Sequence, residues 1–229
     1  EPLLDQIVAG RLLAKAGSEA QRAAWLPGLI DGSATLALAT LEPGQRYELA
    51  PQGTTATKSG NGWVLSGAKC VVVGAATADR LLVSARSGKG ASLFIVDTKA
   101  QGVSLNPCRT VDGQRAADVR LDGVTLGADA LLGTDGGAQA LIDEAVDFAT
   151  ALQCAEAIGA MSFANDTTLD YLKTRKQFGV PIGSFQVLQH RMVEMIIHTE
   201  QARSMAILAA SKVDTAASAA ERQRAVSAA

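Results

Sequence analysis

The sequence predicts an α+β fold with its layers segregated along the chain: a partial N-terminal helical domain, a middle antiparallel β-domain and a partial C-terminal helical bundle. Three observations carry this reading. Apolar residues recur at helical spacing over residues 1–33, give way to short β-rich runs broken by Gly, Asn and Pro over 34–129, and return to helical spacing over 130–229. With 48% apolar side chains among 229 residues, the chain can bury a substantial core.

Each element has its own signal. Leu4, Ile7, Val8, Leu12 and Leu13 form one helical stripe, and Trp25, Leu26 and Leu29 continue after a break at Gly17, so two short helices are expected. In the middle segment, Gly62–Gly67, Lys69–Val73, Arg80–Ala85, Ser92–Asp97 and Ala117–Leu121 read as strands. Their close spacing, without intervening helices, predicts antiparallel pairing. Gly133-Thr134-Asp135-Gly136-Gly137 lacks the frame of a phosphate loop and reads as a helix-entry turn, with Thr134 or Asp135 near the cap. Leu141, Ala145, Phe148, Leu152, Ala155 and Gly159 then mark a helix reaching about Lys176, and Leu188, Met192, Met195, Thr199, Ala202, Ala206 and Ala209 mark a second. The short turn between them makes these helices antiparallel neighbours, and Ala216–Ala229 begins another.

Composition excludes several classes of function. Twenty-one basic against 23 acidic residues leave a net charge of −2, with no electrostatic case for a nucleic-acid or membrane-surface partner. Cys70, Cys108 and Cys154 lie far apart without a nearby His, so neither a zinc site nor a disulfide framework is expected, and a reducing cytoplasm fits. Apolar runs such as Val71–Ala76 fall well short of the roughly 20 residues that span a bilayer. The start, Glu-Pro-Leu-Leu-Asp, carries no secretory signal, and the missing Met suggests a piece of a longer chain.

The chemistry concentrates at the bend between the two long helices. In Arg175-Lys176-Gln177-Phe178-Gly179-Val180-Pro181-Ile182 a guanidinium fork and an amide stand at a helix end, suited to gripping a pyrophosphate. Local physics offers a competing account: basic residues favour a helix C-terminus, Gly179 suits a left-handed cap and Phe178 fills a corner. His190 and His198 have no partner carboxylate or Cys at metal-ligand spacing, and Cys154 reads as a small buried apolar residue.

The string at the bend, preceded by Tyr171-Leu172 and followed by Phe185-Gln186, resembles the signature of the acyl-CoA dehydrogenase family of flavoenzymes. Leu26-Pro27-Gly28-Leu29-Ile30-Asp31-Gly32 with Leu41-Glu42-Pro43-Gly44 is similar to that family's entry into its β-domain. Gly62-Trp63-Val64-Leu65-Ser66-Gly67-Ala68-Lys69, with Ala78-Asp79, is similar to its strand pair beside the flavin. The resemblance implies FAD held between the β-domain and a four-helix bundle, across a subunit interface. It also implies acyl-CoA as substrate, assembly as a homo- or hetero-oligomer arranged as a dimer of dimers, and electron-transfer flavoprotein as acceptor. By the same resemblance Arg175, Gln177 and Phe178 contact the FAD of a neighbouring subunit, while Ile182, Phe185 and Leu188 approach its adenine end. Family chemistry removes a proton α to the thioester while a hydride leaves the β-carbon for the flavin.

Departures from the family pattern cluster elsewhere. Where relatives read Thr-Glu-Pro-x-x-Gly-Ser-Asp, Leu41 takes the Thr position and Gln45-Arg46-Tyr47-Glu48 replaces the end. Val71, Val72, Val73 and Gly74 occupy positions usually held by an aromatic, an Ile, a hydroxyl residue and an Asn. An apolar side chain cannot donate to the flavin, so each loss removes about 1–2 kcal/mol unless backbone N–H groups substitute. Most members place the catalytic Glu in a later loop; a minority place it at the position aligned with Ala149, which cannot take a proton. Thr150 stands where many have an Arg. Asp143, Glu144 and Asp147 are more simply acidic residues near a helix N-terminus, so no catalytic residue is assigned. The expected function is α,β-desaturation of an acyl-CoA thioester by an FAD-dependent dehydrogenase subunit. The alternative is a non-catalytic subunit that completes a partner's FAD site.

Overall fold

The computed structural model describes residues 3–229 and divides into two compact units, one ending at Ala145 and the other spanning Val146–Ala229. Helices α1 (Leu3–Ala16) and α2 (Glu19–Asp31) open the first unit. The expected stripe is buried in α1 at Val8, Leu12 and Leu13. A capping box starts α2: the Ser18 hydroxyl accepts from Gln21 N at 3.2 Å, and the Gln21 side chain accepts from Ser18 N at 2.9 Å. The buried Gln21 amide also donates to the carbonyls of Asp129 and Leu131, at 2.6 and 3.0 Å, which ties α2 to the far end of the β-domain.

Eight strands follow: β1 (Leu36–Ala39), β2 (Thr55–Ser59), β3 (Gly62–Val73), β4 (Arg80–Ser87), β5 (Gly90–Asp97), β6 (Val103–Arg109), β7 (Arg115–Leu126) and β8 (Leu131–Leu132). They form one sheet in the order β6-β7-β3-β2-β4-β5-β8, with β1 attached to β4. Most ladders are antiparallel, but β1 runs parallel to β4, as does the single contact of β2 with it. The expected antiparallel pairing thus holds for most of the sheet, and β1 departs from it because it reaches β4 only by way of the intervening β2–β3 hairpin, a crossover that short loops between neighbours cannot make. Trp63, Leu65, Leu81, Val83, Phe94, Val96, Val119 and Val124 form the core, with Trp63 edge-on to Phe94 at 5.2 Å.

Strand β3 was expected as two runs and is one, bent by register shifts against β7 between Leu65 and Gly67 and between Lys69 and Val72. Strict alternation would carry the inward series Trp63, Leu65, Lys69 on to Val71. The second shift instead exposes Val71 and buries Val72, as a β-bulge does. Asp79 joins the start of β4 to the residue before β1: its carboxylate accepts from Thr35 N and Thr35 Oγ1, both at 2.9 Å, so its pKa lies below the usual value.

Helix α3 (Ala138–Thr174) crosses the division between the units. The segment before it is a helix-entry turn as expected, with Gly137 N donating to Thr134 O at 3.0 Å. Asp135 accepts hydroxyls from Ser87 at 2.5 Å and Ser92 at 3.2 Å, fixing the turn to the β4–β5 hairpin. The second unit also contains a two-residue hairpin of β9 (Lys176–Gln177) and β10 (Val180–Pro181), then α4 (Gln186–Thr215) and α5 (Ala219–Ala228). On α4 the expected stripe is buried at Met192, Thr199, Ala206 and Ala209. On α3 the prediction holds less well, since Ala155 and Gly159 are exposed while Ala151 and Ile158 are buried. Apolar residues surround that helix on several faces, so periodicity underdetermines the inward one. Ala151, Ala209, Val213 and Val226 pack together with Phe148. Beside them Arg222 donates to Asp147 at 2.7 Å, and Asn165 donates to Thr199 at 2.9 Å, setting the register of α3 on α4.

Candidate functional site

The bend follows from three constraints. Helix α3 ends at Thr174, Gln177 pairs with Val180, and only Phe178 and Gly179 remain to turn the chain. Both have positive φ, 54° and 82°, as a type I′ hairpin turn requires. Gly179 adopts this region freely, but a phenylalanine there is strained by about 1–2 kcal/mol. Ile182 N donates to Arg175 O at 2.8 Å and closes the bend.

Arg175, Gln177 and Phe178 are exposed at this tip, Phe178 to 90%. Among the described residues Arg175 makes no ion pair, so its guanidinium is available to an incoming anion. The Phe178 ring meets Phe185 edge-on at 6.1 Å, and Ile182 and Leu188 are half-buried. All six residues singled out at the bend thus lie within one short segment: a cation, an amide, an exposed aromatic face and an apolar backing.

A second candidate region lies in the first unit, where the loop after β1 meets β3. The carboxylate of Glu42 accepts from the consecutive amides of Gln52, Gly53 and Thr54 at 2.9, 2.6 and 3.0 Å, and from Lys69 Nζ at 2.8 Å. Burial pushes its pKa up, but the hydrogen bonds from Lys69, Gly53 and Thr54 prevail and hold it at about 2. Burial lowers the pKa of Lys69 below the ordinary lysine value, against the attraction of Glu42. Sequence reasoning treated Lys69 and Glu42 as parts of strings and missed their partnership.

The substituted segment after Lys69 has its backbone donors largely engaged within the protein. Cys70 N donates to Leu41 O and Val71 N to Asp118 Oδ1, each at 2.9 Å, and Gly74 N donates to Arg115 O at 2.9 Å. Val71 has φ 48°, rare for a β-branched residue, and Gly74 has φ 77°.

The acidic residues near the start of α3 are likewise committed. Glu144 pairs with Lys15 and with Arg11, the latter at 3.3 Å, Asp147 pairs with Arg222, and Asp143 accepts from Gln139 at 2.8 Å. His190 and His198 are exposed, Cys154 is half-buried rather than fully buried, and among the described residues no cluster could hold a metal. No helix among them is long and apolar enough to cross a membrane.

The sequence matches two family models: the middle domain of acyl-CoA dehydrogenases over residues 37–124 and their C-terminal domain over residues 135–229. Acyl-CoA dehydrogenase FadE12 of Mycobacterium tuberculosis is 36% identical over 213 residues, which is 90% of this chain and 55% of that protein. The caffeyl-CoA reductase-Etf complex subunit CarC of Acetobacterium woodii is 29% identical over 215 residues, 90% of this chain and 57% of its own length. Among solved structures, a variant of the Tcur3481-Tcur3483 steroid ACAD superposes with a TM-score of 0.82 at 34% identity, covering 97% of this chain and 58% of that one. The chain therefore spans just over half the length of these relatives.

Proposed function

This chain belongs to the acyl-CoA dehydrogenase family, and on that premise we propose that its protein catalyses the α,β-desaturation of an acyl-CoA thioester with FAD as electron acceptor. One observation carries the reading: the bend presents the Arg175 cation, the Gln177 amide and the Phe178 ring together on a strained two-residue turn. That donor set fits a dinucleotide, because a guanidinium matches diphosphate oxygens and an exposed ring offers a stacking face.

In this role Arg175 and Gln177 would hold the diphosphate of an FAD shared with a neighbouring subunit, Phe178 would cover it, and Ile182, Phe185 and Leu188 would line its adenine end. When bound, FAD supplies the acceptor for the hydride that leaves the substrate's β-carbon. The chain's contribution is to bind and orient. Glu144 and Asp147 sit in ion pairs, Asp143 accepts from Gln139, and Ala149 bears no proton acceptor, so none of them is assigned as the base.

The oligomeric assembly, homo- or heteromeric, belongs to the proposal because the bend needs a neighbour's cofactor. Electron-transfer flavoprotein as the onward acceptor is supported by the Etf-complex relative. A cytoplasmic location agrees with three unpaired cysteines. The alternative, a subunit that only completes a partner's FAD site, is not favoured, since FadE12 is named as an acyl-CoA dehydrogenase.

The test is to purify the protein, measure FAD per chain by absorbance, and follow flavin bleaching on addition of acyl-CoAs of graded size. Bleaching with at least one of them is expected, and Arg175→Ala should lower FAD retention about tenfold or more. A colourless protein that leaves every acyl-CoA intact refutes the proposal, and unchanged FAD retention in the variant returns Arg175 to a helix-end role.

A further inference from the structure

Lys69 lies in the inward register of β3, its side chain fully buried. Its ammonium has three protons and three acceptors: Thr40 O at 3.1 Å, Glu42 Oε1 at 2.8 Å and Ser84 Oγ at 2.9 Å. Glu42 stands at the start of the loop, and the three amides that it receives stand at the end. The carboxylate therefore closes residues 42–54 into a ring, and Lys69 fastens that ring to β3 and, through Ser84, to β4.

Two neighbouring contacts hold the same seam. Cys70 N donates to Leu41 O at 2.9 Å, and Thr54 Oγ1 donates to Ala68 O at 3.2 Å. Gly67, at φ 146°, allows Thr54 to pass so closely that a Cβ on residue 67 would lie 2.5 Å from Thr54 Cα. An open recess of about 640 Å³ lies over this seam, bounded by Pro43, Gly44, Gln45, Gln52, Gly53 and Gly67, with Glu42 at its floor.

Stability alone is a poor account of this pair. Burying two opposite charges costs several kcal/mol per ion, and well-packed apolar residues often do as well or better. What apolar residues cannot do is fix three consecutive amides, the carbonyl of Thr40 and two strands in one geometry. We propose that the Lys69–Glu42 pair is a positioning device that sets the shape of this recess and so holds the 42–54 loop, which on the dehydrogenase reading would face the flavin and the acyl thioester. This rests on the dehydrogenase reading above for the identity of the ligands, but not for the clasp itself. Neither side chain is a catalytic residue; both act through the loop.

The experiment compares the FAD-loaded protein with Lys69→Met, Lys69→Arg, Ser84→Ala and the double variant Lys69→Met/Glu42→Gln. The readouts are hydrogen exchange of the Gln52–Thr54 amides, the flavin absorption band, the FAD dissociation constant and denaturant unfolding. Lys69→Met leaves a buried carboxylate unpaired, whereas the double variant does not, so the double variant should recover much of the lost stability. Positioning predicts that it nevertheless exchanges these amides about tenfold faster, binds FAD about tenfold more weakly and shows a shifted flavin band, the scale of one lost charged hydrogen bond. Lys69→Arg should restore the band in part, and Ser84→Ala should move every readout in the same direction by less.

A folded double variant with wild-type exchange, band and FAD affinity overturns the proposal and leaves a merely structural pair. If Lys69→Met fails to fold, the double and Ser84→Ala variants carry the same decision. A wild-type protein that binds no flavin defeats the functional reading, while unaltered exchange at Gln52–Thr54 in the double variant separately defeats the clasp.

Discussion

Replacing Glu42 with Gln should make the protein's stability less sensitive to acid. The folded chain holds this carboxyl at about 2 against an ordinary 4.5, because four hydrogen bonds favour the ionised form over the burial that opposes it. The gap corresponds to roughly 3 kcal/mol of stabilisation. The folded pKa is the lower one, so the unfolded chain takes up the proton first as pH falls. The stabilisation is present at neutral pH, declines below about pH 4.5, and has lost roughly 2 kcal/mol by pH 3. Urea unfolding at pH 6, 5, 4 and 3 measures this directly. The Gln variant should start less stable at pH 6, since Lys69 stays buried without its counter-charge, yet lose about 2 kcal/mol less on going to pH 3. Parallel declines in the two proteins would refute the assignment of Glu42 as an ionised, hydrogen-bonded anion.

Two further substitutions probe the backbone. Gly67→Ala should destabilise by about 2 kcal/mol or more, seen as a lower urea midpoint, because the new methyl meets Thr54 and φ 146° suits glycine alone; a neutral effect would mean that the loop has room to move. Phe178→Gly should stabilise by about 1 kcal/mol in the same assay by relieving the left-handed conformation, while FAD retention falls; unchanged retention would show the ring to be dispensable.

What could be read from the sequence was what period and chemistry state together. The α4 stripe from Leu188 to Ala209 follows one helical face, and the structure buries Met192, Thr199, Ala206 and Ala209 on it although Val193, Ile196, Ile197 and Ile207 elsewhere on the helix stay exposed. The α3 stripe was ambiguous because Met161, Phe163 and Leu169 offer competing apolar faces, all exposed in this chain. Strands β1, β2 and β6 escaped notice for a different reason. Four residues of Leu and Ala in β1 carry no alternation, and Thr-Ala-Thr-Lys-Ser in β2 has one buried position, so each owes its strand to neighbours rather than to its own pattern.

Lys69 shows how much more could have been extracted. Counting by twos from Trp63 through Leu65 and Gly67 puts it on the buried face, and a lysine there demands an anion that the chain must bring from elsewhere. Glu42, between Leu41 and Pro43 in a loop, was the natural supplier. The same count then fails at Val71, because the bulge that inverts the register is a tertiary event: Asp118, on β7, captures the Val71 amide at 2.9 Å. No local signal in Cys-Val-Val-Val announces it.

The bend makes the complementary point about local energetics. Judged on helix-end chemistry alone, Arg175 to Gly179 would be a routine termination, with glycine in the left-handed position and a phenylalanine filling a corner. The chain does something costlier: the phenylalanine itself takes a positive φ and stands 90% exposed, while the guanidinium beside it has no acid partner among the described residues. Neither feature improves the stability of this chain, since strain is unfavourable and an exposed ring gains little from burial. A turn of Gly-Gly or Asn-Gly would close the same hairpin at lower cost. The proposed FAD contact accounts for both features, which helix-capping rules do not.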